Sequence, residues 1–256
     1  MPVDQVTDQR PAPGRKVPAK QRIAARRAAE AARARAAQRR RTLARSAVAA
    51  AVLVAVVVLA IVVQSQRTSS APDAAVPANT VDGGMAVEVG RADAPATLDV
   101  YEDFQCPACA RFEALSAGTM AALVDDGSAR VRYHPMAFID EYSTRALNAA
   151  GVVVDAAGPD AFVEFAGLLY DRQPVEGGPG LTDDQLIELA GQVGAAGADV
   201  ERGIRDLVFE DWTRSLTDQA SRDGVNSTPT ILLDGQPLAP AQLQPVALAE
   251  AVHAAA

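Results

Sequence analysis

The sequence predicts a mixed α/β domain that follows a single membrane-spanning helix. Two observations support this prediction. An uncharged run separates a basic N-terminal segment from an acidic remainder, and that remainder reads as strand, helix, strand, a long helical stretch, a hairpin and a terminal helix. A strand–helix–strand unit gives a parallel pair and a hairpin gives an antiparallel one, so this order predicts a mixed sheet with helices around it.

Charge is distributed unevenly along the 256 residues. Residues 1–45 carry 13 Lys and Arg against 3 Asp and Glu, whereas the remaining residues carry 11 basic and 29 acidic side chains. The net charges are therefore +10 and −18. Such asymmetry indicates that the two segments lie in different surroundings.

The boundary between these segments is a run of 21 residues without a charge, residues 46–66. At ~1.5 Å per residue it would extend for ~31 Å, about the hydrocarbon thickness of a bilayer. A buried core helix would carry polar residues on one face, and Ala47–Val63 has none. The alternative is a cleaved signal peptide with its cut near Ser69–Ala71, but a basic leader of 45 residues is much longer than a signal n-region.

The charge asymmetry also predicts the orientation in the cell membrane. By the positive-inside rule, residues 1–45 are cytoplasmic and the acidic part is extracytoplasmic, where disulfides can form. Residues 20–45 are rich in Ala and Arg and are expected to contact anionic lipid rather than nucleic acid. Residues 67–84 read as a linker, and residues 85–256 as the folded domain.

Local patterns predict the elements of this domain in order. The helix after the first strand should end before Gly127, a capping box of Thr182 and Gln185 marks one later helix start, and Asp234-Gly235 marks a hairpin turn. The predicted elements are a strand over Ala96–Phe104, a helix from Pro107 to about Asp125, a strand over Ala129–Pro135, a helical insertion over about 141–221, a hairpin over Pro229–Leu238, and a helix from Pro240 or Ala241 to His253.

The only two cysteines, Cys106 and Cys109, lie in the stretch EDFQCPACARF. A zinc site needs three or four Cys or His ligands, and the chain adds only His134 and His253, so no metal is expected. A disulfide between cysteines this close would remove little chain entropy and would make a poor structural link. A redox-active dithiol is the interpretation that remains.

The neighbouring residues assign different roles to the two cysteines. Cys106 follows a predicted strand and begins a predicted helix, and Pro107 occupies the first helical position, where a missing N–H is harmless. The helix N-terminus favours a thiolate, so Cys106 is the candidate nucleophile. Cys109 lies one turn further and is the candidate resolving thiol, buried beneath Cys106.

A second motif, GVNSTPTILLDG, begins at Gly224. Thr228-Pro229 opens a strand that would lie inside the domain, where a proline removes a ladder donor. A cis Thr228–Pro229 bond would leave the Thr228 backbone free to pair with an extended substrate segment. An ordinary trans proline at the start of the strand is the alternative.

Together, YEDFQCPACARFE and GVNSTPTILLDG resemble the DsbA-like branch of the thioredoxin superfamily. The resemblance covers about Met85 to Val252 and implies a thioredoxin-like fold with a helical insertion. It also implies that Pro229 is a cis-proline facing the cysteines, that Thr228 lies beside it at the substrate groove, and that Pro107 and Ala108 form the active-site dipeptide.

The sequence departs from the best-known oxidases of that branch. They carry His where this chain has Ala108, so we expect a less acidic Cys106 and a less oxidising disulfide than theirs. Thr228 before the proline is more typical of isomerase-like relatives. In thioredoxins a buried acid lies six residues before the first cysteine, where this chain has Val100.

These features predict a membrane-tethered thiol–disulfide oxidoreductase without a cofactor. It would act on cysteine-containing client proteins, most readily by forming disulfides. The resemblance to the DsbA-like branch implies that a quinone-linked membrane partner would reoxidise it. Disulfide reduction or isomerisation is the alternative within this chemistry. A non-catalytic module that holds extended peptides beside Pro229 is the alternative from another class.

Other polar residues receive structural interpretations. Glu102 and Asp103 are predicted to be solvated at a strand end, with proton acceptance from a thiol as the alternative. His134 is predicted to be a packed or surface residue rather than a ligand. Trp212 is predicted to pack between helices.

Overall fold

The structure is a computed structural model that describes residues 75–255. The predicted cytoplasmic segment 1–45 and the predicted transmembrane helix 46–66 lie outside the described residues. Within residues 75–255, no helix combines the length and the apolar character that crossing a membrane requires.

The described residues form one five-stranded mixed sheet with the order β1-β3-β2-β4-β5. β2 and β3 are parallel and are connected through a helix, and the other neighbouring strands are antiparallel. The strands are β1 (Val87–Val89), β2 (Ala96–Asp103), β3 (Ala129–Met136), β4 (Thr230–Leu233) and β5 (Gln236–Pro237). The predicted parallel pair and C-terminal hairpin are therefore confirmed.

Helices cover the sheet, and five of those in the described residues lie between β3 and β4. They are α1 (Pro107–Asp125), α2 (Glu141–Ala157), α3 (Pro159–Asp171), α4 (Asp183–Gln192), α5 (Ala198–Arg205), α6 (Glu210–Arg222) and α7 (Pro245–Ala255). The predicted capping box is confirmed at the start of α4, where the Thr182 hydroxyl and the Gln185 side chain each accept from the other residue's backbone N–H.

Alternation along β2 and β3 divides the interior between two faces of the sheet. Val100 and Glu102 share one face of β2, and Asp99 and Tyr101 share the other. In the parallel register, Asp99 lies opposite Arg132 and Tyr101 opposite His134. The Val100 face points into the main hydrophobic core.

Two details differ from the sequence prediction. β1 was not predicted, because three residues are too few to show a period. The terminal helix is divided into a 3₁₀ turn (Pro240–Leu243) and α7, with Gln244 extended between them, since a residue before proline disfavours the helical conformation.

Candidate active site

Cys106 lies where β2 gives way to α1. It is the N-cap residue of α1, and Pro107 is the first residue of the helix, as predicted. A turn joins the two elements, in which the Cys106 N–H donates to the Asp103 carbonyl oxygen over 2.9 Å. The sulfur of Cys106 therefore lies at the positive end of the helix dipole, where an anion is stabilised.

The surroundings of Cys106 favour its thiolate and lower its pKa to about 5. The largest cause is a hydrogen bond from the thiol of Cys109. The Thr228 side chain and the backbone amides of Ala108 and Cys109 contribute further, against the opposing effect of burial. Because Ala108 contributes only its amide, the thiolate is stabilised without a histidine between the cysteines.

Cys109 has the opposite environment. It is fully buried, whereas Cys106 retains 8% exposure, and both cysteines are free thiols in this structure. Burial is the largest of several causes that raise the pKa of Cys109, and the hydrogen bond to Cys106 and the charge of Glu102 act in the same direction. The predicted burial of Cys109 is confirmed, and the two thiols have opposite shifts, with the pKa of Cys106 lowered and the pKa of Cys109 raised.

The second motif lies directly beside the cysteines. The Thr228–Pro229 bond is cis, which confirms the expectation from the resemblance. The thiol of Cys106 donates to the Thr228 carbonyl oxygen over 3.5 Å, across 122 positions of sequence. Thr228 and Pro229 are both partly exposed, so backbone at this position is accessible to an incoming chain.

Asp103 anchors the turn before Cys106 and is fully buried, so the predicted solvated carboxylate is wrong. One carboxylate oxygen accepts from the Gln105 N–H at 2.8 Å and from the Ser143 hydroxyl at 2.7 Å. The other accepts from the Phe138 N–H at 3.0 Å. These bonds connect the turn to the loop after β3 and to α2, which explains why a carboxylate is tolerated in the core.

Glu102 is also buried, at 6% exposure, which corrects the prediction for this residue as well. It lies near the end of β2 and adjoins Glu113, one turn beyond Cys109 on α1. Burial, followed by the neighbouring Glu113, raises the pKa of Glu102 well above its usual range, and burial raises the pKa of Glu113 to about 7. Glu113 was not predicted, although its i+4 spacing from Cys109 places both residues on one helix face.

Gln173, two residues beyond the C-terminal end of α3, also contacts the turn that carries Cys106. The Gln173 amide donates to the carbonyl oxygens of Phe104 at 2.9 Å and of Cys106 at 3.0 Å. Gln105 donates to the Val175 carbonyl oxygen at 3.3 Å, so the loop after α3 lies against the turn before α1. No sequence pattern signals Gln173, because it acts over a separation of 67 residues.

Two apolar side chains project into solvent close to this frame. Phe138, whose N–H bonds Asp103, is 49% exposed, and Val175, whose carbonyl accepts from Gln105, is 84% exposed. They belong to the loops on either side of the turn that carries Cys106. Exposed apolar residues at such a position suit contact with an unfolded or extended polypeptide.

His134 is a structural residue, as predicted. Its Nδ1 lies 2.9 Å from the Met85 carbonyl oxygen and its Nε2 lies 2.9 Å from Asp99 Oδ1. Trp212 is buried, and its indole N–H donates to the Gly84 carbonyl oxygen at 2.7 Å. In the part of the chain that the structure describes, no group of three His, Cys, Asp or Glu side chains is arranged to hold a metal.

The fold and the site together define a thioredoxin-like protein with a dithiol at a helix N-terminus and a cis-proline facing it. Residues 81–250 match the family model described as Thioredoxin, and the chain belongs to this family. Within it, the structure is similar to a Mycobacterium tuberculosis disulfide bond oxidoreductase (DsbG) in reduced form, with 31% identity and a TM-score of 0.59 over 67% of this chain and 87% of that chain.

Further relatives place the chain among the DsbA-like proteins. Reduced DsbA from M. tuberculosis has 28% identity and a TM-score of 0.55, covering 68% of this chain and all of that chain (100%). A curated relative, the serine/threonine-protein kinase PknE of M. tuberculosis, is 36% identical over 118 residues, 43% of this chain and 21% of that protein. This chain therefore spans about a fifth of the length of the kinase.

Proposed function

We propose that this protein is a membrane-tethered, extracytoplasmic thiol–disulfide oxidoreductase that forms disulfides in client proteins. The observation that carries the proposal is the pairing of a slightly exposed Cys106, whose pKa is lowered, with a buried Cys109, whose pKa is raised. A low thiol pKa makes Cys106 a good leaving group. Because Cys109 is buried, a client thiolate attacks Cys106, and Cys109 exchanges only with Cys106.

In the forward direction the reaction begins from the Cys106–Cys109 disulfide. A client thiolate attacks the sulfur of Cys106, the bond to Cys109 breaks, and Cys109 leaves with the electron pair and takes up a proton. A mixed disulfide then joins the client to Cys106. Attack on Cys106 rather than Cys109 follows from exposure, since the sulfur of Cys109 is buried.

A second client thiolate completes the transfer. It attacks the client sulfur of the mixed disulfide, the client disulfide forms, and Cys106 leaves as a thiolate. The two electrons removed from the client now reside on Cys106 and Cys109, the dithiol state that this structure represents. A quinone-linked membrane partner is the proposed acceptor that returns the pair to the disulfide.

Client recognition would use the backbone around Thr228 and the exposed apolar side chains Phe138 and Val175. The Thr228 carbonyl already faces the sulfur of Cys106 at 3.5 Å. An extended client segment could pair with this backbone while its cysteine lies over Cys106. The surroundings are strongly acidic overall, which would favour clients with a neutral or basic cysteine-containing segment.

Oxidation is the proposed direction because stabilisation of the Cys106 thiolate stabilises the reduced protein, and a stabilised reduced form makes the disulfide more oxidising. The absence of a histidine at Ala108 acts against this. The tether is proposed from residues 46–66, whose uncharged length suits a bilayer, and from the basic residues that precede them.

Two measurements test the proposal. The full-length protein is equilibrated with glutathione buffers, and the reduction potential of its Cys106–Cys109 pair is measured. The potential should be nearer to about −120 mV than to about −270 mV, and the latter value would indicate a reductase. Cys109→Ser should accumulate client mixed disulfides through Cys106. A Cys106 that titrates near the ordinary ~8.5, together with no trapped client, would instead support the non-catalytic peptide-binding alternative.

A further inference from the structure

The side-chain amide of Gln173 bonds at two points to the turn that carries Cys106. Its Nε2 atom lies 2.9 Å from the carbonyl oxygen of Phe104 and 3.0 Å from that of Cys106. A primary amide carries two N–H donors on one nitrogen, so each carbonyl receives its own donor. The exchange chemistry above gives this residue no role, although it is bonded to the backbone of the reactive cysteine.

The first of these bonds holds the peptide group between Phe104 and Gln105. The carbonyl of this group accepts from Gln173, and its N–H donates to the Asp103 carboxylate over 2.8 Å. A peptide group is planar, so partners at both of its ends fix its orientation. The chain therefore enters Cys106 in one defined direction.

The second bond holds the peptide group between Cys106 and Pro107. Proline has no N–H, so only the carbonyl of this group can be held by hydrogen bonds. The carbonyl oxygen accepts from the Gln173 amide at 3.0 Å and from the Ala110 N–H at 3.2 Å, which uses both of its lone pairs. The Ala110 bond belongs to α1 itself, whereas the Gln173 bond comes from outside the helix. Together they fix the rotation ψ of Cys106 at 117°.

That rotation decides how the first turn of α1 is presented to the sulfur of Cys106. The groups of this turn that favour the thiolate are the thiol of Cys109, which is the largest cause, and the backbone amides of Ala108 and Cys109. Hydrogen bonds weaken steeply when a donor no longer points at its acceptor. A change of ψ at Cys106 would move all three donors relative to the sulfur.

The loop that carries Gln173 is itself attached to the turn. The Gln105 side chain donates to the Val175 carbonyl oxygen over 3.3 Å, in the direction opposite to the Gln173 bonds. Gln105 is fully buried, so this bond is shielded from water. Removal of the Gln173 amide would therefore leave a second attachment between the loop and the turn in place.

We propose that Gln173 is a positioning residue for Cys106, which holds the start of α1 in the orientation where its donors point at the sulfur. The inference rests on the proposed function and names a residue outside the dithiol motif on which the leaving-group ability of Cys106 depends. Gln173 acts through the Cys106 carbonyl and not on the sulfur. Its position matters because Ala108 offers no side-chain donor between the cysteines.

The test compares the wild-type protein with Gln173→Met, which keeps the length of the side chain and removes both donors. The matched control is Gln192→Met, at an exposed glutamine at the end of α4. Iodoacetamide alkylation of the reduced full-length protein reports the ionisation of Cys106. Gln173→Met should raise the midpoint by about one pH unit, a tenfold change in the dissociation constant of the thiol, and Gln192→Met should leave it unchanged.

The equilibrium with glutathione should change in the same direction. A less stabilised thiolate makes the reduced protein less favoured, so Gln173→Met should be less oxidising by about tenfold in the equilibrium constant, or ~30 mV. Loss of stability alone would lower the urea midpoint of unfolding without changing the ionisation of a thiol in the folded protein. A folded Gln173→Met protein with the wild-type alkylation midpoint would overturn the proposal.

A measurement on the wild-type protein keeps the proposal testable if Gln173→Met does not fold. In a reduced, ¹⁵N-labelled sample, the side-chain amide signals of Gln173 should shift with pH through the Cys106 midpoint of about 5, because the amide is bonded to the carbonyl of the titrating residue. Signals that stay constant through that midpoint would overturn the proposal.

These outcomes are separable from those of the proposed function. Failure of Cys109→Ser to trap any client would remove the client-directed function, yet the difference in Cys106 ionisation between the wild-type protein and Gln173→Met would still stand. Conversely, a trapped client together with an unchanged midpoint in Gln173→Met would leave the oxidoreductase intact and remove only the positioning role.

Discussion

The two faces of β2 carry acidic residues in opposite electrostatic situations. On one face, Asp99 accepts from the His134 ring at 2.9 Å, and its carboxylate lies 3.6 Å from the Arg132 guanidinium. On the other face, Glu102 adjoins Glu113, and neither glutamate forms an ion pair with an arginine of residues 75–255. The residues are three apart in sequence, and an odd separation in a strand directs them to opposite sides.

The difference lies in the partners of the two acidic groups. The carboxylate of Asp99 is paired with charged and polar neighbours: Tyr101 stacks on the His134 ring with centroids 4.5 Å apart, and Arg132 also pairs with Asp82. On the other face, one carboxyl oxygen each of Glu102 and Glu113 has no hydrogen-bond partner within residues 75–255, and the pKa of Glu102 is raised. The two faces of one strand therefore differ in whether their acidic side chains have a charged partner.

The largest expected effect is on the rate of disulfide exchange, which should depend on Cys106 and not on the Asp99 face of β2. Cys106→Ser should lower the rate of disulfide exchange with a cysteine-containing peptide by more than ~10³-fold, because it removes the attacking and leaving sulfur. Asp99→Asn, on the other face, should leave that rate within about 2-fold. A large loss of exchange in Asp99→Asn, with the fold intact by circular dichroism, would contradict this division.

The next prediction concerns the thiolate itself. Alkylation of reduced protein by iodoacetamide should follow a midpoint at about pH 5 for Cys106, compared with about 8.5 in an unfolded peptide. Thr228→Val keeps the volume and removes the hydroxyl, so it should raise that midpoint. A midpoint that Thr228→Val leaves unchanged would show that the helix end and Cys109 suffice.

The free energy of unfolding should depend on pH through Glu113, which lies on the same side of β2 as Glu102. The folded-state pKa of Glu113 is raised to about 7, so its favourable contribution is present below its unfolded value of ~4.5 and is lost as pH rises through about 7. In oxidised protein, where Cys106 does not titrate, Glu113→Gln should flatten this fall by on the order of 2 kcal/mol. Parallel wild-type and variant curves from urea unfolding would argue against it.

The smallest expected effect is a difference in the free energy of unfolding at pH 7 between variants of the two faces of β2. Asp99→Asn should reduce the free energy of unfolding at pH 7 by about 1–2 kcal/mol, because it weakens charge-assisted bonds to His134 and Arg132. Glu102→Gln should be neutral or stabilising at the same pH, since it removes a buried group that resists ionisation. Urea denaturation of both variants measures these changes in the free energy of unfolding. Equal destabilisation by Asp99→Asn and Glu102→Gln would contradict the predicted difference between the two faces.

Much of the site could be predicted because its parts are local in sequence. Cys106, Pro107 and Cys109 lie within one turn of a helix whose start the sequence marks, so their relation needs no distant contact. The hairpin after Thr228 follows from its Asp234-Gly235 turn in the same way.

The burial of acidic residues could not be predicted in this way. Glu102 and Asp103 stand at a strand end, where solvent is the usual environment, and both are buried because α2 and α3 cover that end of the sheet. Glu113 lies four residues after the buried Cys109 on α1, a spacing that suits a core position, but a charged side chain is not expected there. A charged residue is read as exposed until the elements that cover it are known.

The sequence by itself therefore determined the order of the elements, the division of labour between Cys106 and Cys109 and the resemblance that joins them to Pro229. These depend on backbone propensities and on spacings of a few residues. Only the tertiary structure decided which groups surround the dithiol: the Thr228 carbonyl at 3.5 Å, the Gln173 amide, and the carboxyl groups of Glu102 and Glu113. Desolvation and proximity across the chain set the proton affinities of these groups, and both exist only once the chain has folded.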